Sequence, residues 1–247
     1  MTKASQIPWV KVAVEAAAIV GSILLAFAID AWWEDSQSEQ QEAQILEALL
    51  EDLVTKRDRL ESQRTRISKI RASAISLLQA SAEGNDSLDS RSIDNLIGDI
   101  CVINQPASWS FPLLRSIVEG GQLVVISNVE LRTMLVDWHE SFALVKAAVA
   151  RDLAFYDVHL IPFLNANVSM PQILNAGRQK KTGLSYKFDQ EFSLKVRTDH
   201  TDLLTSKEFQ GLVTRRSILL NDILLRISPD FGADLDTFIE VIRAELQ

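Results

Sequence analysis

The chain has 247 residues, and its 25 Lys+Arg against 33 Asp+Glu give a formal net charge of −8, which disfavours a nucleic-acid binder because such proteins carry excess positive charge. A single cysteine, Cys101, excludes an intramolecular disulfide framework and a cysteine-rich metal site. The low counts of glycine (9) and proline (6) favour a helix-rich protein.

The first predicted element is a membrane-spanning helix over residues 9–33, which read WVKVAVEAAAIVGSILLAFAIDAWW. Residues 16–29 are an uninterrupted uncharged stretch that is apolar apart from Ser22, and Trp9 at one end with Trp32 and Trp33 at the other match the aromatic residues that anchor spans at membrane interfaces. At 1.5 Å rise per residue, Trp9 and Trp32 lie about 35 Å apart along a helix, which suits a bilayer. The residues after the apolar run make a poor signal-peptide cleavage site, so we predict that the span is retained.

The charges around the span predict its orientation. Lys3 and Lys11 lie on its N-terminal side, whereas residues 34–55 contain no Lys or Arg and carry seven acidic residues. Because basic residues near a span favour the cytoplasm, we expect residues 1–8 to be cytoplasmic and the body to lie outside. The sequence therefore predicts a single-pass protein of the bacterial inner membrane with a periplasmic body.

One face of the predicted span is small and polar. At 100° per residue the following side chains fall close together: Glu15, Ala18, Ser22, Ala26 and Asp30. Small residues at this spacing let two helices approach closely, so the face is a candidate seam for an oligomer or a membrane partner. Two alternatives remain open: the two acids lie solvated at the two headgroup levels, or they carry protons.

Several of these residues also carry a resemblance. Gly21 followed by LAFAIDAWWE at residues 25–34, LEALLEDL at residues 46–53 and SNVELR at residues 127–132 resemble an uncharacterised family of bacterial single-pass membrane proteins. That family's span ends in an acid-or-Asn-x-Trp-x-Glu pattern. The resemblance implies a membrane anchor and adds no catalytic residue. It also implies a continuous terminal helix, from which SPDFG at residues 228–232 departs.

After the span, we predict a helical stalk over residues 34–82, with a long helix from Ser38 to Ala82. A heptad repeat supports this helix, with first positions Leu46, Leu53, Leu60, Ile67 and Ala74 and fourth positions Leu49, Lys56, Gln63, Ile70 and Leu77. The fourth positions turn polar in the middle, which predicts a helix packed at both ends and wetter between.

Residues 83–247 are predicted to form a helical bundle domain. Its first part contains a short helix at residues 92–102 and a second one that ends at Gly120-Gly121, followed by a strand-like piece at residues 123–126. A capping-box spacing between Ser127 and Glu130 then starts a long helix that runs to Pro162.

In the second part of that domain, strict alternation predicts a small β-hairpin at residues 184–196. A capping box between Thr205 and Glu208 starts a third long helix to Ile227, and an amphipathic helix follows Ser228-Pro229. The predicted fold is therefore mainly α: a transmembrane helix continuing into a helical stalk, then an antiparallel helical bundle with a small β-hairpin.

Chemistry is scarce in this sequence. His139 and His159 lie twenty residues apart on one predicted helix and cannot share a metal, and His200 is isolated. Cys101 lies in an apolar run and is predicted to be a small buried residue. No phosphate loop, serine elbow or zinc-helix motif is present. We therefore predict no enzymatic activity, no catalytic residue, no metal and no cofactor.

A basic stretch at residues 56–71 follows the acidic one. Its candidate docking residues for an acidic partner are Lys56, Arg57, Arg64 and Arg71. The alternative is a solvated helix face whose charges pair within the chain, with the acid-rich terminal helix as an internal partner.

Taken together, these features predict a non-enzymatic, membrane-anchored helical scaffold or interaction protein that contacts the lipid bilayer and forms a homo-oligomer or binds a membrane-protein partner, but not nucleic acid. One alternative is a membrane-tethered sensor that binds a small ligand, which a pocket lined by Trp138 or Tyr156 would favour. Another is an accessory subunit of an ion-driven or transport complex that uses the membrane acids.

Overall fold

A computed structural model of the chain describes residues 9–83, 88–103, 110–173 and 200–247. Among these residues the elements are helical and no strand occurs. They comprise α1 (Trp9–Glu83), α2 (Ser90–Ile100), α3 (Pro112–Glu119), a 3-10 turn (Gln122–Val125), α4 (Val129–Phe155), a π-helical turn (Tyr156–Leu160), α5 (Ile161–Asn167), α6 (Thr201–Thr205), α7 (Lys207–Arg226) and α8 (Pro229–Glu245). The hairpin predicted at residues 184–196 lies outside the described residues.

Helix α1 is one continuous element of 75 residues, about 112 Å long at 1.5 Å per residue. The predicted span and the predicted stalk are thus parts of a single helix. Its N-terminal part contains an 18-residue window of mean hydropathy 1.9, and none of that window is buried in the protein. By length and composition, this part of α1 could cross a membrane.

From Leu46 onward, α1 packs into the body of the protein rather than standing apart from it. Leu46 and Leu53 are buried at one end of the heptad stripe, and Ile67 is buried beyond the middle, whereas Lys56 and Gln63 are only half-buried. The polar middle predicted from the heptad is therefore present. The division at residue 83 between stalk and bundle stays a prediction.

Two apolar clusters form the core. The first joins α1 and α4 to α7 and α8 and surrounds the aromatic side chains of Phe111, Trp138 and Phe238. The second joins the C-terminal end of α1 to α2, α5 and the first part of α7, with Leu77 and Phe209 fully enclosed. Because burial of one such side chain contributes about 1.5–3 kcal/mol, these two clusters supply the main driving force for folding.

The strand predicted at residues 123–126 is wrong, because the segment Gln122–Val125 is a 3-10 turn. It connects the end of α3 to the start of α4, and no described strand is available to pair with it. Gly121, at φ +75°, reverses the chain into this turn, a conformation that favours glycine. Apolar character here instead reflects burial of Ile126, while Val124 is 79% exposed.

The predicted starts of α4 and α7 are correct to within one or two residues, but in each the capping residue differs from the predicted one. Asn128, not Ser127, caps α4 by accepting a hydrogen bond from the Leu131 amide at 2.9 Å. Ser127 instead donates its amide and hydroxyl to Glu42 on α1, at 2.7 and 2.9 Å. In this way the start of α4 is tied to α1.

Helix α7 shows the same one-residue shift. Ser206 caps it, accepting from the Phe209 amide, whereas the Thr205 hydroxyl donates to the Thr201 carbonyl within α6. The helical path of α4 also continues past Pro162, which lies in the first turn of α5 directly after the π-helical turn Tyr156–Leu160.

Candidate functional site

The candidate seam lies on the exposed part of α1. All five of its residues are exposed in the described chain: Glu15, Ala18, Ser22, Ala26 and Asp30. The Ser22 hydroxyl donates to the Ile19 carbonyl of its own helix at 2.8 Å. Because this hydroxyl already donates its hydrogen bond within α1, the middle of the seam presents small side chains for close packing rather than a free hydrogen-bond donor.

The predicted interface aromatics bracket this segment. Helix α1 begins at Trp9, and Trp32 and Trp33 are 67% and 64% exposed on it. Such exposure of an indole is unusual in a protein surrounded only by water. It suits a headgroup layer, where an aromatic ring and a polar N–H are both accommodated.

The candidate docking residues of the basic stretch are separated by the structure. Lys56 donates to the Ser110 carbonyl at 2.8 Å and lies over the Phe111 ring, 5.5 Å from its centroid. Arg71 is half-buried, and its Nε has no hydrogen-bond partner among the described residues. These two side chains are therefore turned into the body.

The other two candidates form pairs at the surface. Arg57 contacts Asp236 of α8 at 3.3 Å and Asp58 at 3.4 Å, and these hydrogen bonds, that to Asp236 first, raise the pKa of its guanidinium. Arg64 pairs with Glu61 at 3.1 Å within α1. Exposed pairs of this kind add little stability. Contacts within the chain thus use much of the basic charge, as the solvated-face alternative expects.

A buried charge cluster lies between the two core clusters. Arg216 of α7 is fully buried and its Nη2 lies 3.5 Å from Oδ2 of Asp152 on α4. The same nitrogen donates to the Val102 carbonyl at 2.9 Å, and the guanidinium lies 4.8 Å from the centroid of Tyr156. Burial lowers the pKa of Arg216, and the charge of Asp152 opposes that shift.

This cluster holds the segment that follows α2. The Tyr156 hydroxyl donates to the Cys101 carbonyl at 2.9 Å, next to the bond from Arg216 to Val102. Tyr156 is the first residue of the π-helical turn Tyr156–Leu160, a local widening that often marks functional positions. Here the turn lies beside a ring that contacts the buried guanidinium, so we assign it a structural role.

A second buried polar group centres on Asp94 of α2. Its Oδ1 lies 2.7 Å from Nε2 of His200, and its Oδ2 accepts from Gln172 at 2.7 Å. His200 is 2% exposed and Asp94 is 5% exposed. One carboxylate thus joins the residues on either side of the segment 174–199, which lies outside the described residues.

The remaining histidines and the cysteine occupy unremarkable positions. His139 lies 3.5 Å from Glu119, and His159 is exposed beside the Phe155 ring. Burial raises the pKa of Cys101 to about 12, so its thiol is a poor nucleophile at neutral pH. In the described part of the chain, no group of three or more His, Cys, Asp or Glu side chains could hold a metal ion.

The aromatic cluster of the first core region has clefts around it. The Trp138 ring stacks on Phe231 at a centroid distance of 5.3 Å and meets Phe238 edge-on at 6.1 Å. These three rings line a cleft of about 240 Å³ between α4 and α8. A second cleft of about 230 Å³ lies beside Phe111 and His139, and a third of about 390 Å³ lies between α1 and the start of α8.

Comparison with protein-family models, with curated proteins and with solved structures finds no match to this chain.

Sequence reasoning missed both buried polar groups, although a signal for one was present. Arg216 falls on the apolar stripe of α7 between Val213 and Leu220, and Asp152 continues the stripe of α4 after Val149. A charged residue at a buried position on each of two helices predicts a buried pair. Asp94 and His200 have no comparable spacing, because only the fold brings them together across 106 positions.

Proposed function

We propose that this chain is a non-enzymatic, membrane-anchored helical scaffold or interaction protein. One observation carries the proposal: none of the apolar 18-residue window near the N-terminus of α1 is buried, and α1 continues from it without a break into the part that packs into the core. Ile19, Leu24 and Phe27 are all more than 60% exposed there. Exposure of such side chains to water is unfavourable at about 25 cal/mol per Å² of apolar surface, whereas lipid removes that cost.

The proposed setting is the bacterial inner membrane, with residues 1–8 in the cytoplasm and the body in the periplasm. The distribution of basic and acidic residues on the two sides of the span supports this orientation. The resemblance to uncharacterised single-pass bacterial proteins supports the anchor as well, and we propose membership of that family on the same residues.

The orientation is tested with fusions after Gln247. Alkaline phosphatase is active only in the periplasm, and a fluorescent protein that matures only in the cytoplasm gives the opposite signal. We expect high phosphatase activity with no fluorescence. Fluorescence without phosphatase activity would refute the periplasmic body and leave the anchor itself in place.

We further propose that the body is an antiparallel bundle. The order of the long-range contacts within the chain supports it. Glu42, near the start of the packed part of α1, contacts Ser127, and Asn128 contacts Glu245 at the end of α8. Farther along α1, Arg57 contacts Asp236, which lies earlier in α8. Residue numbers thus rise along α1 as they fall along α8.

We also propose that the chain self-associates through the small face of α1. A bulky side chain on that face should separate the helices. We therefore expect Ala26→Leu to reduce the oligomer, measured by chemical crosslinking in membranes and by size in mild detergent. Ala28→Leu makes the same change about 160° away around the helix and serves as the control.

Equal oligomer levels in wild type, Ala26→Leu and Ala28→Leu would refute the seam. The alternative role of the membrane acids in an ion-driven complex predicts instead that Asp30→Asn or Glu15→Gln abolishes function while assembly is retained.

A ligand-binding role is a second candidate, and a specific observation favours it. The cleft between α4 and α8 is lined by Trp138, the kind of aromatic-walled pocket that ligand-binding modules use. On this alternative the membrane anchor tethers a binding domain, and a partner protein carries the output.

A further inference from the structure

The outer side of the helix pair α4 and α7 carries most of the large exposed apolar side chains of the body. Beyond Trp33, six large apolar side chains of the described chain are more than half exposed. Two of them, Val124 and Val129, lie around the start of α4. The other four lie on α4, on the π-helical turn that follows it and on α7: Leu144, Val158, Ile218 and Leu225. Single exposed apolar residues are common on proteins, but a group of them on adjacent helices marks an interaction surface.

One ion pair joins the two helices in the middle of this surface. Helices α4 and α7 pack side by side, and Nη2 of Arg151 on α4 lies 2.7 Å from Oδ2 of Asp222 on α7. The helices run in opposite directions, because Arg216, which precedes Asp222, contacts the ring of Tyr156, which follows Arg151. Residue numbers thus fall along α4 as they rise along α7.

The apolar side chains flank this ion pair at both ends. On the α4 side they lie seven positions before and seven positions after the arginine, and on α7 they lie four before and three after the aspartate. Steps of three, four and seven residues return to nearly the same side of a helix, so these residues share one surface. We define it as the α4–α7 face by three residues on each side: Leu144, Arg151 and Val158 opposite Leu225, Asp222 and Ile218.

The size of the α4–α7 face suits a small interface. Leu144 and Val158 are 14 residues apart, which is about 21 Å at 1.5 Å per residue, and two adjacent helices are about 20 Å wide. The face therefore covers about 400 Å², which matches the patches that mark interaction sites but is below the roughly 800 Å² that each partner of a stable complex buries. Such a contact is weak between free molecules, but anchoring two copies in one membrane raises their effective concentration.

The proposed anchor restricts how two copies can meet. Helix α4 runs in the same direction as α1, because Ser127, just before α4, contacts Glu42 on α1. Farther along both helices, Trp138 of α4 packs on Phe111, and Lys56 of α1 lies over the same ring. Two copies in one membrane have parallel spans, so a two-fold axis that relates them must follow the spans, and with them α4. Rotation about that axis keeps every residue at its own height above the membrane.

The charges select one arrangement of the two copies. If α4 of one copy faces α7 of the other, each Arg151 meets the partner's Asp222 at the same height, and the apolar ends of the two faces also match. If α4 faces α4, the two arginines meet each other, which is unfavourable. Asp222 also pairs with Arg226 of its own helix at 3.2 Å. A carboxylate has about four acceptor sites and a guanidinium five donors, so each group can serve its own chain and the partner together.

From this arrangement we propose that the α4–α7 face is a two-fold interface between two copies of this chain in one membrane, with Arg151 of each copy bound to the partner's Asp222. Such an interface is self-complementary and closes as a dimer. The direction of its axis rests on the proposed anchor. The interface is independent of the seam on α1, which consists of other residues, and it adds a contact outside the membrane.

The test uses two differently tagged copies of the full chain, expressed together. Both carry Ala26→Leu to remove the contact proposed for the seam. Lysine residues are crosslinked in the membranes before solubilisation, and the amount of the second tag recovered with the first is measured. The pairings are the unaltered face in both copies, Arg151→Asp in both, Asp222→Arg in both, and Arg151→Asp in one copy with Asp222→Arg in the other. None of these changes alters the number of lysines.

We expect recovery to fall at least about fivefold in each like-charge pairing and to return to within about twofold of the unaltered face in the opposite-charge pairing. The internal ion pair is lost in each variant as well. Arg151 is 58% exposed, however, and exposed pairs add little stability. Both variants should therefore stay folded, which circular dichroism checks.

The apolar part of the α4–α7 face is tested with Leu225→Glu in both copies, which should lower recovery at least about fivefold because it places a charge where apolar surface is buried. Val124→Glu is the matched control. It makes a similar change at a side chain that is 79% exposed and lies outside the face, so recovery should stay within about twofold.

Equal recovery in all charge pairings would overturn the interface, because no contact between Arg151 and the partner's Asp222 would then exist. Equal losses with Leu225→Glu and Val124→Glu would overturn it too, as would the absence of recovery between copies with the unaltered face. The anchor is tested separately by extracting the same membranes with alkaline carbonate. Release of the chain into the supernatant would refute the anchor, whereas the recovery pattern decides the interface.

Discussion

The buried pair of Arg216 and Asp152 offers the most informative perturbation of this fold. Their charged atoms lie 3.5 Å apart, and the side chains are 0% and 2% exposed. At an effective dielectric constant of about 20, Coulomb's law gives about 5 kcal/mol of attraction at this separation. Removing one partner leaves the other charge buried without compensation, so we expect Asp152→Asn and Arg216→Met each to lower the free energy of unfolding by about 3–5 kcal/mol.

The double variant decides the reasoning. Replacing both charges by apolar side chains, as in Asp152→Leu with Arg216→Met, removes the attraction and the desolvation cost together. The double variant still loses the contact of the guanidinium with the Tyr156 ring and the hydrogen bond to Val102, and the latter costs about 1–3 kcal/mol because it leaves a buried carbonyl unsatisfied. The double variant should therefore be more stable than either single variant.

The measurement is urea unfolding of the full chain in micelles, followed by circular dichroism. Arg215→Met is the control, because Arg215 is the exposed neighbour on α7 and its loss should change stability by less than about 0.5 kcal/mol. If the costs of the single variants Asp152→Leu and Arg216→Met simply add in the double variant, the two charges do not act as a pair. An effect of Arg215→Met as large as that of Arg216→Met would equally refute the argument.

Further predictions concern single positions. Because burial raises the pKa of Cys101 to about 12, the folded protein should react with a maleimide at pH 8 at least about 100 times more slowly than the urea-unfolded chain. The raised pKa also stabilises the folded state at low pH, and this stabilisation is lost as the pH rises from about 9 towards 12. Gly121→Ala should lower stability by about 1–2 kcal/mol because its φ is +75°, whereas Gly211→Ala, in an exposed helical position with no atom within 4 Å of the new methyl group, should raise it by about 0.5–1 kcal/mol; thermal melts of both variants test this, and equal shifts would contradict it. Asp94→Asn should cost about 1.5–3 kcal/mol by weakening the 2.7 Å contact with His200, and an unchanged urea midpoint would show that the contact contributes nothing.

The local sequence was sufficient to predict a long helix, because the backbone hydrogen bonds of a helix are made within the same segment. The heptad from Leu46 to Ala74 predicted both the course of α1 and its wetter middle, because a seven-residue repeat of apolar side chains can face a core only as a helix. The same reasoning failed at residues 123–126. A short apolar run carries no period that distinguishes a strand from a turn, and only the absence of a neighbouring strand in the described fold decides the matter.

The capping residue of α4 could not be predicted from the local sequence alone. Ser127 and Asn128 are adjacent and both can cap a helix. The competition is decided by Glu42, which lies 85 positions away and accepts two hydrogen bonds from Ser127, leaving Asn128 to cap α4. A contact over that separation is not visible in the local sequence.

Sequence alone determined the long apolar N-terminal helix, the acidic character of the chain and the helical class, because length, period and charge act within a few residues of one another. Only the tertiary structure decided which charged side chains form ion pairs within the protein and which remain exposed at the surface. It buries Arg216 against Asp152, pairs Arg57 with Asp236 and leaves Asp137 and Asp234 at the rim of an aromatic cleft. Such pairings depend on which helices pack side by side, and packing is a property of the whole core rather than of any one segment.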